Sequence, residues 1–75
     1  MPEQELKAIV ARVLDIPPGQ VTDALSRETT ESWDSFNHLL LVSEIEKDMG
    51  IQFSMEEIEA IRTYRQLRET VQSKV

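Results

Sequence analysis

Asp34, Ser35 and His38 are the residues whose types and spacing invite a chemical reading. A carboxylate, a hydroxyl and an imidazole this close suggest a nucleophilic triad, because residues three apart on a helix touch. Hydrolysis also needs an oxyanion hole and a substrate pocket, and nothing in the sequence supplies either. His38 is then expected at the surface, near a partner interface. One His and no Cys leave only carboxylates as metal ligands, which argues against a transition-metal site. Glu56, Glu57 and Glu59 lack the alternating ligands and central Gly of a calcium loop. No metal and no catalytic residue are expected.

Ser35 has a different use if it opens a helix. Apolar residues recur at Leu41, Val42, Ile45 and Met49, and Gly50 supplies a stop, so a helix is expected over Ser35 to Met49, about 22 Å long. Asp34 or Ser35 sits at its start. Free backbone N–H groups and the positive end of the helix dipole tolerate an anion there, so a phosphoester on Ser35 would be well placed.

The run Asp34, Ser35, Phe36, opening a helix of this length in a small acidic chain, resembles the acyl carrier protein family, and the likeness spans most of the sequence. That family carries an Asp-Ser-Leu signature whose serine receives 4′-phosphopantetheine. The resemblance implies that Ser35 is the attachment point, that coenzyme A is the donor through a phosphopantetheinyl transferase, and that acyl groups ride on the arm as thioesters. It implies a carrier, not an enzyme, served by acyl-loading, acyl-transferring or condensing enzymes. Phe36 replaces the usual leucine, and Trp33 stands where glycine is common. The residue four past the serine, Leu39, would line the acyl pocket and face partners. Leu40 occupies a position often acidic in the family. Asp34 would position the serine or meet a basic group.

The elements that position these residues follow from periodicity. Leu6, Ile9, Val10, Val13 and Leu14 lay one stripe along a first helix from Glu3 to Leu14. Pro17, Pro18 and Gly19 stop it, and a long connection runs to Asp34 with Ile16, Val21, Leu25 and Trp33 as apolar anchors. One short turn is expected near Thr22 to Leu25. Trp33 reads first as a packing residue, a staple against Asn37 or His38 one turn into the second helix or, preferred over both, against a core neighbour; an exposed indole beside an arm or partner is the weaker reading.

In the second helix, Leu39, Leu40, Leu41 and Val42 cover more than one stripe, so at least one of them must lie outside the core face. Glu44, Glu46 and Asp48 make the exposed side mainly negative, which is either a solvated face or a docking strip for basic partners. Ile51 and Phe53 alternate with polar neighbours and point inward. Ser54 and Glu57 form a capping box for a short third helix, Met55 to Ile61, anchored by Ile58 and Ile61. Thr63 and Gln66 repeat it for a fourth helix that carries Tyr64, Leu67 and Val71 and ends near Ser73.

The expected fold is all-α: a four-helix, acyl-carrier-like bundle with a long loop between helices one and two and a short third helix. Its 75 residues suit a single carrier domain, 1–75. The net charge of −6 argues against a nucleic-acid partner. No segment reads as a leader or a membrane span, so a cytoplasmic monomer without membrane insertion is expected. Two alternatives stay open: an aminoacyl or peptidyl carrier, and a non-carrier adaptor that binds a partner helix through Leu39 and Leu40, with Ser35 only a cap.

Overall fold

The computed structural model describes residues 3–75; Met1 and Pro2, part of the stretch read for a leader, lie outside them. Helix α1 (Glu3–Leu14) buries Leu6, Ile9, Val10, Ala11 and Leu14. Val13 is only half-buried at the edge of that stripe. Asp15 ends the helix in the left-handed region, with φ 55°, and the Ile16 N–H then donates to the Ala11 carbonyl at 3.0 Å.

The long connection is ordered by pairing as well as by its anchors. A 3-10 turn at Pro18–Gln20 starts on the second proline, with Pro17 as its cap, and the expected turn near Thr22 closes through the Leu25 N–H and the Thr22 carbonyl at 3.0 Å. Val21 and Trp33 are buried, while Ile16 and Leu25 are half-buried against the core. An isolated antiparallel bridge joins Ser26 to Thr63. Beside it the Tyr64 N–H donates to the Leu25 carbonyl and the Arg27 N–H to the Arg62 carbonyl, both at 2.9 Å. Sequence periodicity carries no signal for this pairing, because it joins segments far apart in the chain.

Helix α2 (Ser35–Met49) packs against α1 and stops at Gly50, whose φ of 66° suits a residue without Cβ. Leu41, Val42 and Ile45 are buried as expected, but two positions differ. Met49, in the last turn, is only half-buried. His38 is 4% exposed rather than at the surface. It lies three residues before Leu41 and four before Val42, so the 3.6-residue repeat places it on the same stripe.

Helix α3 (Met55–Ala60) and helix α4 (Tyr64–Gln72) both begin with complete capping boxes, Ser54 with Glu57 and Thr63 with Gln66. Helix α3 ends one residue before the expected Ile61, because Ile61 turns extended (φ −76°, ψ 112°) and sinks into the core at 1% exposure. Phe53 is buried and Ile51 half-buried. Helix α4 buries Tyr64, Leu67 and Val71. It is joined to α1 by the Tyr64 hydroxyl, which donates to Glu3 at 3.0 Å, and to the long connection by the Arg68–Asp23 ion pair. Burial, then the Glu3 carboxylate, hold the Tyr64 phenol well above the usual tyrosine range. The architecture is thus an all-α bundle of four helices among the described residues, and no described helix is long and apolar enough to cross a membrane.

Candidate functional site

The start of α2 is built from local bonds. Asp34 is extended and its carboxylate accepts the Asn37 N–H at 2.8 Å, which makes it the helix cap. The Asn37 side chain donates back to the Ser32 carbonyl at 2.8 Å, so the chain entering the helix is held on both sides. Ser35 is therefore the first helical residue, and it is exposed to solvent. Capping has been taken over by Asp34, which leaves the serine hydroxyl outside the cap bonds.

Beneath this surface lies a buried polar link. Trp33 is 1% exposed, and its indole N–H donates to His38 Nδ1 at 3.0 Å. Because Nδ1 accepts, the neutral imidazole carries its proton on Nε2 and donates to the Ile58 carbonyl at 2.7 Å. Trp33 and His38 occupy the two positions of a helix staple, the residue before the cap and the fourth inside. The two bonds of His38 thus fix the entry of α2 and tie it to α3. Burial, with Arg27 and Arg62 nearby, pushes the His38 imidazole below its usual range, against the opposing effect of the Ile58 carbonyl. Stranding either partner of such a link costs about 1–3 kcal/mol.

A shallow cleft of about 220 Å³ opens between α2 and α3 beside the serine, lined by Arg27, Ser35, His38, Leu39, Met55, Ile58 and Glu59. Around it, large apolar side chains stand in water: Phe36 is 74% exposed, Met55 68% and Leu39 59%, with Leu40 less so. The patch and the serine share one end of α2. Of these, Arg27, Met55, Ile58 and Glu59 were not legible as site residues. Met55 alone carried a hint, as a large apolar residue at the first position of a short helix.

The acidic residues are placed elsewhere. Glu44 and Asp48 lie 3.5 and 3.8 Å from Arg12 of α1. Glu46 turns toward the link after the helix and accepts the Phe53 N–H at 2.8 Å. Asp34, Phe36, Leu39 and Leu40 therefore gather at the serine end, whereas Glu44, Glu46 and Asp48 engage partners within the chain.

Arrangement and sequence define a class. Residues 4–71 match the phosphopantetheine attachment site family, a span that includes Ser35 and all four helices almost entirely. The chain belongs to that family, whose members carry covalent 4′-phosphopantetheine and serve as carriers rather than catalysts. A comparison with curated proteins found no match. The residues present suit the group: an exposed hydroxyl at the first helical position, free backbone donors behind it, and Arg27 as a nearby cation for a phosphodiester.

Proposed function

We propose that this chain is a single-domain acyl carrier in which Ser35 receives 4′-phosphopantetheine from coenzyme A. The observation that carries the reading is the exposed Ser35 hydroxyl at the head of α2, directly after its Asp34 cap and within the span matched to the family. Ser35 Oγ attacks the pantetheine-bearing phosphorus of coenzyme A, forming the Oγ–P bond and breaking the pyrophosphate P–O bond. The leaving group is adenosine 3′,5′-bisphosphate, and the hydroxyl proton passes to the transferase. When bound, the arm supplies a reactive thiol on a flexible tether, to which acyl groups are joined and which this Cys-free chain lacks.

Phe36, Leu39 and Leu40 form the docking face for the transferase and for acyl-loading, acyl-transferring or condensing enzymes, with Met55 at its edge. Glu44, Glu46 and Asp48 add a negative field that biases encounter, reduced by their contacts within the chain. Leu39, Met55 and Ile58 in the cleft lining support an acyl cargo, with Arg27 and Glu59 beside them for a polar acyl group. Incubation with coenzyme A and a broad-specificity phosphopantetheinyl transferase tests the assignment. Intact mass rises by one phosphopantetheinyl unit in the wild type and stays unchanged in Ser35→Ala. An unmodified wild type would leave only the adaptor use of the apolar patch.

A further inference from the structure

The floor of the cleft beside Ser35 is unusual for an apolar lining, because it is a histidine bonded on both sides. Trp33 reaches His38 Nδ1 at 3.0 Å from one direction, and the Ile58 carbonyl receives the Nε2 proton at 2.7 Å from the other. The core to which Trp33 belongs also holds Leu41, Ile45 and Ile61, all four 1% exposed or less. The cleft lining includes His38 and none of those four core residues, so a chain entering from the cleft meets the imidazole first. His38 must swing away first, and that leaves the Trp33 N–H and the Ile58 carbonyl buried without partners. Two stranded polar groups cost about 2–6 kcal/mol together, and the chain must also displace packed side chains, so both costs stand against the roughly 0.8 kcal/mol that each buried methylene returns. The cleft itself, at about 220 Å³, is smaller than the roughly 300–1,000 Å³ of sites that enclose a drug-sized ligand. Its walls include Arg27 and Glu59, which offer a cation and a carboxylate to polar atoms on a cargo.

We propose, resting on the carrier assignment of Ser35, that the Trp33–His38–Ile58 link seals the bundle against its own cargo, so that this protein carries short or polar acyl groups and does not take a long alkyl chain into its core. A short acyl group lies against Leu39, Met55 and Ile58 in the cleft. A long one remains outside it, in water or against a partner enzyme.

The test loads Ser35 from butyryl-coenzyme A and from dodecanoyl-coenzyme A with a broad-specificity phosphopantetheinyl transferase, with intact mass confirming each product. The Trp33 indole N–H resonance and the thermal midpoint are then compared between the two forms and the unloaded chain. Sealing predicts an indole resonance at the same position in both loaded forms and coincident midpoints. A dodecanoyl form with a displaced indole resonance and a midpoint raised by several degrees would show the chain inside the core and overturn the inference while leaving the carrier assignment intact. Absence of any mass gain would remove the carrier assignment and the inference with it.

Discussion

The two halves of α2 use their side chains in opposite ways. Toward the C-terminus, the charges serve the fold: Glu44 and Asp48 flank Arg12, and Glu46 holds the Phe53 N–H. Toward the N-terminus, Phe36, Leu39 and Leu40 face water while the polar His38 is buried. Residue type alone therefore does not decide burial: His38 lies inside and Phe36 outside. A helix surrounded on one stripe must bury whatever falls on that stripe and expose whatever does not. The carboxylates of the acidic half are partly occupied by intrachain contacts, whereas Phe36, Leu39 and Leu40 stand exposed, which is what the proposed docking face rests on.

The contrast breaks most completely at the serine. Ser35→Ala is expected to abolish the phosphopantetheinyl mass gain while leaving the denaturation midpoint within about 0.5 kcal/mol of wild type, because an exposed hydroxyl outside the cap contributes little. A large loss of stability would place Ser35 in the fold rather than in the site.

The buried link at the same end gives the next largest effect. Trp33→Phe removes the indole donor, leaves His38 Nδ1 unpartnered and opens a small void, so urea unfolding should show a loss of about 1–3 kcal/mol. An unchanged midpoint would mean that the Trp33–His38 bond does not hold the entry of α2.

Docking separates the halves directly. Leu39→Ser with Leu40→Ser is expected to slow phosphopantetheine transfer by roughly tenfold, the effect of losing about 1.4 kcal/mol of apolar contact, with stability nearly unchanged. Reversal of Glu44 and Asp48 to Lys should change transfer less, and mainly at low salt, because these groups sit beside Arg12 and act through the screened field. The opposite ranking would return the docking role to the acidic half.

The pH dependence follows from His38. Its folded form resists the proton, whereas the unfolded chain takes it up near pH 6.5. Between those two pKa values the unfolded state binds more protons, so stability present above about pH 6.5 is lost as pH falls through and below it. His38→Gln should flatten this slope in urea titrations measured from pH 7.5 to 5.5. Asp23, lowered chiefly by its bond from Arg68, and Glu57, lowered chiefly by its bond from Lys74, add a loss only at more acid pH, below the usual carboxylate range.

The smallest effect belongs to the acidic half. Arg12→Ala removes two exposed ion pairs and should cost no more than about 0.5–1 kcal/mol, diminishing with added salt.

By itself the sequence determined the four helices, their caps and stops, and the placement of Ser35 at a helix start. These rest on local physics: apolar spacing along a stripe, Ser54 and Thr63 as caps, and Gly50 as a stop, while the choice of Asp34 over Ser35 as the cap of α2 came from the structure. Only the tertiary structure decided that His38 is buried, that Arg27, Met55, Ile58 and Glu59 join Ser35 around one cleft, and that the carboxylates of α2 turn toward Arg12 and Phe53. The link from His38 to Ile58 and the pairing of Ser26 with Thr63 join residues far apart in the chain. No helical repeat spans such a distance, so packing of the whole chain settles which polar groups meet.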